Sequence, residues 1–338
     1  MRKEPKNVGV LFGGCSTEYE ISLQSAAAVI SHLDTGKYMP VPIALDRQTG
    51  AWRWRRGEQE IPVFLSADRS LHGICWMEKG ELHSLSLDAA LPILHGKNGE
   101  DGTVQGALEL AGIPIIGCDL LSSALCMDKE IAHRIVAAAG IRVPKSVLIQ
   151  KESGEEEIKK AAGALSYPLF VKPVRSGSSF GITKVYDEGK LYSAVRKAFD
   201  YDTSVLLEET VPGFETGCAV LGCESLTVGE LDEIELSEDF FDYTEKYSLK
   251  TSKIHVPARI SPEKTKQLKE TAVKIYRLLK CSYFARVDMF LTPDGEIYFN
   301  EVNTIPGFTV HSRYPNMMKA AGISFEQMLD KLLEMGLR

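Results

Sequence analysis

Short apolar runs alternate with amphipathic stretches over the first 117 residues. Val8 to Phe12 is apolar and ends on Gly13-Gly14, after which Ser16 and Thr17 lead into a helical pattern from Ser22 to Leu33. A strand, a tight glycine turn and a helix entered through hydroxyls open an α/β layer. Pro40 to Leu45 and Ala89 to Leu94 predict two more strands, Gln105 to Ala111 a helix, and Ile113 to Gly117 a further strand. That order predicts a Rossmann-like parallel sheet. Residues 46–85, where Trp52 and Trp54 stand among charges, predict only short strands. The pattern then changes. Helices are predicted at Ser123 to Ala139, Glu155 to Ala164 and Leu191 to Phe199, with strands at Tyr167 to Pro173, Ile182 to Tyr186 and Ser204 to Glu209. A polar glycine loop, Ser176 to Gly181, joins the first two of these strands, which makes them a hairpin rather than a βαβ unit. The last third predicts strands at Glu215 to Leu221, Ser225 to Leu231 and Ala285 to Leu291, and a helix at Pro262 to Leu279.

At 338 residues the chain exceeds one compact core and predicts two or three domains. Its net charge of −7 makes nucleic acid or an anionic membrane a poor partner. No apolar stretch is long enough to span a bilayer, and the run VGVLF near the N-terminus is too short for a signal peptide. Seven cysteines without a CxxC pair predict reduced thiols and a cytoplasmic location.

The segment 285–303 carries the most chemistry. Two alternating runs flank Thr292-Pro293-Asp294-Gly295, a strong turn signal. With Pro293 and Asp294 at the tip, Arg286 faces Glu301, Asp288 faces Phe299 and Phe284 faces Asn303. Asp288, Arg286, Glu301 and Asn303 then share one face, and Val287, Met289, Leu291 and Val302 the other. Two carboxylates and an amide oxygen suit Mg²⁺ held jointly with nucleotide phosphates, and Arg286 offers charge for an oxyanion. A solvated, ion-paired sheet face would show the same residues, and a one-residue slip would disperse them. The loop 175–181, after Lys172, can cradle phosphates through its N–H groups and hydroxyls. It is neither a Walker loop nor a dinucleotide fingerprint, because no helix follows it. With Lys129 and the carboxylate hairpin it suggests an ATP site without a P-loop.

The segments GGCSTEYEISL (13–23), HGKNGEDGTVQG (95–106), ALCMDK (124–129), KPVRSGSSFGITKV (172–185), FFDYTEKY (240–247), RVDMF (286–290) and NEVNTIPGFTVHSRYP (300–315) together resemble the ATP-grasp fold, and within it the D-alanine–D-alanine ligase family. The resemblance implies an α/β protein. A Rossmann-like parallel-sheet domain (1–121) precedes a two-part ATP-grasp fold (α+β), with a central part (122–210) and a C-terminal part (211–338) bearing a lid at 237–253. It implies that Glu18 binds the ammonium of the first D-alanine in a set with Ser178 and Tyr247. Lys129, Lys172 and Lys246 would hold ATP phosphates, with Ser179 in the phosphate loop. Glu208, Glu209 and Val211 would line the adenine, and Glu215 the ribose. Asp288, Glu301 and Asn303 would bind two Mg²⁺ or Mn²⁺, while Arg286 and the Gly307 N–H would stabilise the oxyanion. Ser312, Arg313 and His95 would stand at the second amino-acid subsite. A homodimer is expected from the family.

The lid sequence Glu245-Lys246-Tyr247 resembles that of the peptide-forming members, and no histidine occurs between His133 and His255, which argues against D-lactate. Arg313 replaces the apolar residue of ordinary D-alanine–D-alanine ligases, and its guanidinium could donate to a serine hydroxyl. The segments 240–247 and 311–319 resemble most the D-alanine–D-serine ligases of vancomycin resistance, the VanG type in particular. The expectation is therefore an ATP-dependent ligase joining D-alanine to D-serine, with D-alanine–D-alanine ligation as the alternative. A salt bridge that touches no substrate is the other reading of Arg313. A regulatory ATP-grasp relative should have lost a metal ligand or a phosphate lysine, and a carboxylase component would lack the Glu18 and HSRYP segments.

Overall fold

The computed structural model describes residues 4–177, 180–235 and 253–337. Three sheets and the helices that cover them make up this part of the chain. The first sheet starts with β1 (Lys6–Gly13), β2 (Tyr38–Leu45) and β7 (Ala89–Ile93), and β1 pairs in parallel with both of the others. The helix α1 (Tyr19–His32) makes the crossover from β1 to β2. Between β2 and β7 come β3 (Trp52–Arg56), β4 (Gln59–Leu65), β5 (Gly73–Glu78) and β6 (Glu81–Ser86), each antiparallel to its predecessor. The sheet is therefore mixed, and only its β2-β1-β7 part has the expected parallel character. The strand expected at Ile113 to Gly117 reduces to one bridge, Ile115 to Ala90, after α2 (Thr103–Leu110).

The helix expected from Ser123 to Ala139 is two, α3 (Leu120–Met127) and α4 (Lys129–Ala138). Asp128 divides them: its extended backbone ends the first helix, and its carboxylate accepts from Ile131 N–H to cap the second. Such a cap is worth about 1 kcal/mol. The break sets Lys129 at the head of α4, where it points into the site. The second sheet comprises β8 (Ser146–Gln150), β9 (Leu169–Pro173), β10 (Thr183–Val185) and β11 (Ser204–Glu209), in the order β10-β9-β11-β8. Strands β9 and β10 form the expected antiparallel hairpin. The helices α5 (Glu155–Ala162) and α6 (Leu191–Ala198) bury Ile158, Leu191 and Val195 against this sheet.

The third sheet runs β14-β13-β12-β15-β16, with β12 (Phe214–Gly222), β13 (Leu226–Glu235), β14 (Lys253–His255), β15 (Phe284–Leu291) and β16 (Ile297–Asn303). Side chains alternate along β12 and β15 as a pleated pair requires. Cys218, Val220, Ala285 and Val287 face α7 (Pro262–Leu278), which contributes Leu268, Ala272 and Ile275 to the same core. On the opposite face Ala219 and Leu221 join Tyr314 and Met317 of α8 (Arg313–Ala320) and Leu329 and Leu332 of α9 (Phe325–Gly336). That second core also contains Val8, Val10 and Val29, so it ties the first sheet to the third. The site lies along this seam.

Candidate active site

The hairpin β15–β16 is built differently from its sequence expectation. The turn is a three-residue loop, with Gly295 N–H donating to Thr292 O and Gly295 at φ +83°. Leu291, Phe290 and Met289 therefore pair with Ile297, Tyr298 and Phe299. A bulge then intervenes, and Asp288 pairs with Glu301 and Arg286 with Asn303, in place of the expected partners. Phe299 and Val302 are both buried although three residues apart, which only a bulge between them permits. The four polar residues still share one face, by a route the alternation alone does not reveal.

Asp288 is fully buried and accepts from Arg286 Nε (2.8 Å) and Nη2 (2.7 Å) and from Asn303 Nδ2 (2.9 Å). Glu301 lies 3.5 Å from Lys129 Nζ, which also donates to Ser176 O at 2.7 Å. Lys129 thus links the carboxylate hairpin to the glycine loop. Lys172 on β9 pairs with Glu208 on β11, and the second carboxylate oxygen of Glu208 is buried without a hydrogen-bond partner among the described residues. A buried orphan acceptor beside a lysine fits a ligand bearing both an amino donor and phosphates, as ATP does. Glu209 accepts from Lys145 N–H at 2.9 Å, and Val211 is half-buried just beyond the strand. The oxygens of Asp288, Glu301 and Asn303 are hard donors suited to a divalent cation. Among the described residues no group of three or more His, Cys, Asp or Glu could hold an ion, so a cation here would draw on ligand phosphates as well.

Arg313 meets a different environment from the one expected. Its Nε and Nη2 donate to Asp232 (2.6 and 2.9 Å) and its Nη1 to Glu215 (2.9 Å), with Asp288 Oδ1 at 3.6 Å. Burial opposes its charge, but Asp232 and Asp288 outweigh it and hold the guanidinium protonated. Glu215, expected at the ribose, is thereby tied to Arg313. Asp232 itself accepts from Gly217 N–H at 2.7 Å. A Cβ at Gly217 would lie 2.7 Å from Arg313 Nη2 and 2.9 Å from both Asp232 and Asp288, so only glycine fits there.

The other wall comes from the first sheet. Glu18 precedes α1 but does not cap it. Its Oε2 would be 2.8 Å from a Cβ at Gly96 and 3.0 Å from one at Gly177, which places the carboxylate between the 95–106 loop and the glycine loop. His95 donates from Nδ1 to Ile305 O at 2.8 Å, while Ser25 Oγ contacts its Nε2 at 3.2 Å and accepts from Phe308 N–H at 3.3 Å. Glu100 accepts from Gly96 N–H (2.8 Å) and Ile305 N–H (3.0 Å). Both polar atoms of the Ile305 backbone are thus fixed, which sets the turn leading to Gly307. Ser312 packs on that turn, its Oγ 2.8 Å from where a Gly307 Cβ would be. Burial lowers the His95 pKa, and burial followed by the Glu18 charge raises that of Glu100.

The structure therefore brings Glu18, His95, Lys129, Arg286, Asp288, Glu301, Asn303 and Arg313 to one seam, while Lys172 and Glu208 pair with each other on the second sheet. Ser178, Ser179, Lys246 and Tyr247, and the expected lid up to residue 252, lie outside the described residues. Sequence reasoning missed Ser25, Glu100, His133 and Asp232. A signal existed for Asp232, an acid inside the strand run LTVGELDEIE.

Family descriptions agree with this geometry. Those for the "D-ala D-ala ligase N-terminus" and "D-ala D-ala ligase C-terminus" match residues 7–118 and 135–334. The solved VanG D-Ala:D-Ser ligase of Enterococcus faecalis is 55% identical, with a TM-score of 0.90 over 98% of this chain and 99% of that one. A Streptomyces coelicolor protein named as a candidate D-alanine–D-lactate ligase is 47% identical over 98% of this chain and 97% of its own. A D-alanine–D-alanine ligase of Caldicellulosiruptor bescii is 41% identical over 98% and 94%. Both halves of the chain match, and the chain belongs to the D-alanine–D-alanine ligase family.

Proposed function

We propose that this ligase joins D-alanine to D-serine, consuming ATP and passing through a D-alanyl phosphate. The single observation that carries the D-serine reading is the 55% identity to the VanG D-Ala:D-Ser ligase over nearly the whole of both chains. The absence of a histidine between His133 and His255 speaks against D-lactate. Arg313 does not carry the reading, because its Nε and both Nη atoms already donate to carboxylates.

A carboxylate is a poor electrophile, so the first D-alanine must be activated. Its ammonium is bound by Glu18, and its carboxylate oxygen attacks the γ-phosphorus of ATP, releasing ADP. Lys129 and Lys172 neutralise the phosphates, and the orphan oxygen of Glu208 accepts from the adenine amino group. Asp288, Glu301 and Asn303 would hold Mg²⁺, which supplies charge neutralisation at the phosphates. The amine of D-serine then attacks the acyl carbon. Arg286 and the Gly307 N–H face the developing oxyanion, the bond to phosphate breaks, and the amine's proton leaves with the departing phosphate. The test is analysis of products from ATP with D-alanine and D-serine supplied together. D-alanyl-D-serine should dominate. A product that is mostly D-alanyl-D-alanine would overturn the D-serine assignment and leave the family activity standing.

A further inference from the structure

Asn300 is the residue of β16 that β15 leaves unpaired. Were the register beside the turn to continue, Glu301 would stand opposite Val287 and Asn303 opposite Ala285, both on the core face. The bulge at Asn300 moves each by one place, to Asp288 and Arg286. An unpaired carbonyl at a bulge needs a donor from elsewhere. His133 supplies it: its Nε2 lies 2.7 Å from Asn300 O, and because a carbonyl can only accept, the proton is on Nε2. The ring packs edge-to-face on Phe299, with centroids 5.5 Å apart and an interplanar angle of 71°. Phe299 N–H donates to Arg142 O at 2.9 Å, so the strand is held at the bulge and at the residue before it. Lys129, one turn earlier on the same face of α4, lies 3.5 Å from Glu301.

We propose that His133 is a positioning residue for the cation site, holding the bulge that keeps Glu301 and Asn303 in register with Asp288. The proposal rests on the assignment of Asp288, Glu301 and Asn303 as cation ligands. Binding of Mn²⁺ in the presence of ADP, followed by the electron paramagnetic resonance of free Mn²⁺, tests both separately. His133→Leu fills the space but donates nothing, and should weaken Mn²⁺ binding about tenfold or more with KM for D-alanine unmoved. His133→Gln, whose amide reaches about as far as Nε2, should recover most of the loss. Glu301→Gln is the control: if it binds Mn²⁺ as the wild type does, the ligand assignment falls and this proposal with it. If Glu301→Gln loses binding and a folded His133→Leu does not, the role of His133 alone is overturned. Should His133→Leu fail to fold, His133→Asn, too short to reach Asn300 O, makes the same test. Wild-type affinity in that variant would equally overturn the role.

Discussion

The two walls of the site bury their carboxyl groups in opposite ways. On the hairpin wall, Asp288 and Asp232 are buried against guanidinium groups, Arg286 on one and Arg313 on both. On the wall from the first sheet, Glu100 takes its hydrogen bonds from the backbone of Gly96 and Ile305, and glycines crowd Glu18. The first arrangement depends on opposite charges and fails when one is deleted. The second depends on backbone donors to Glu100 and on close backbone approach around Glu18. Under the function proposed above, the former would serve phosphoryl transfer and the latter the recognition of a small amino acid.

Deleting a charge from the hairpin wall should have the largest effect. Arg313→Leu leaves Asp232 buried without its cation and should cost about 3–5 kcal/mol of folding stability. Denaturant unfolding measures this. The ratio of D-serine to D-alanine product should stay constant, since Asp232 and Glu215 hold the guanidinium through all three of its nitrogens. A shifted ratio with unchanged stability would return Arg313 to the second-substrate subsite. Next comes Glu301→Gln, which removes one charge from the proposed cation site and should cut turnover about a hundredfold, roughly 2.7 kcal/mol. Phosphate release at saturating Mg²⁺ reads it, and more than about a tenth of the wild-type rate would refute the assignment.

Adding an atom to the other wall tests the contrast from its opposite side. A Cβ at Gly177 would lie 3.0 Å from Glu18 Oε2, the free end of a flexible side chain that can move aside. Gly177→Ala should therefore fold as stably as the wild type while KM for D-alanine at the first position rises about tenfold, roughly 1.4 kcal/mol. An unchanged KM would remove Glu18 from the ammonium site.

Only part of the hairpin wall was legible in the sequence, and the rest for physical reasons was not. The core side of the hairpin followed from alternation, and Val287, Met289, Leu291 and Val302 are buried as expected. The bulge at Asn300 was invisible because nothing in the run IYFNEVN marks which residue a partner strand will leave unpaired. Asp128 reads as an ordinary member of a long helix, whereas its side chain caps a new one. In β3 the sequence WRWRR leaves no residue fully buried, so residues 52–56 gave little periodic signal. The cluster of Arg313, Asp232 and Glu215 joins residues as far apart as 98 positions, and no local pattern predicts such a meeting.

Glu100 offers the subtlest test, because its backbone-held carboxyl titrates where the unfolded chain does not. Burial, and after it the charge of Glu18, raises its pKa above the ordinary value of 4.5. The folded state therefore keeps a proton that the unfolded chain has released. Its contribution to stability is fully present below the unfolded pKa and is lost as pH rises through the folded one. The slope is at most about 1.4 kcal/mol per pH unit. Glu100→Gln cannot titrate, so the difference in unfolding free energy, wild type minus variant, should fall steadily as pH rises from about 5 toward 8. His95 and His133, whose pKa values burial lowers, titrate alike in both proteins and drop out of that difference. A pH-independent difference would mean that Glu100 titrates the same folded and unfolded. In that case the wall from the first sheet, like the hairpin wall, would compensate its buried charge, and the contrast between them would vanish.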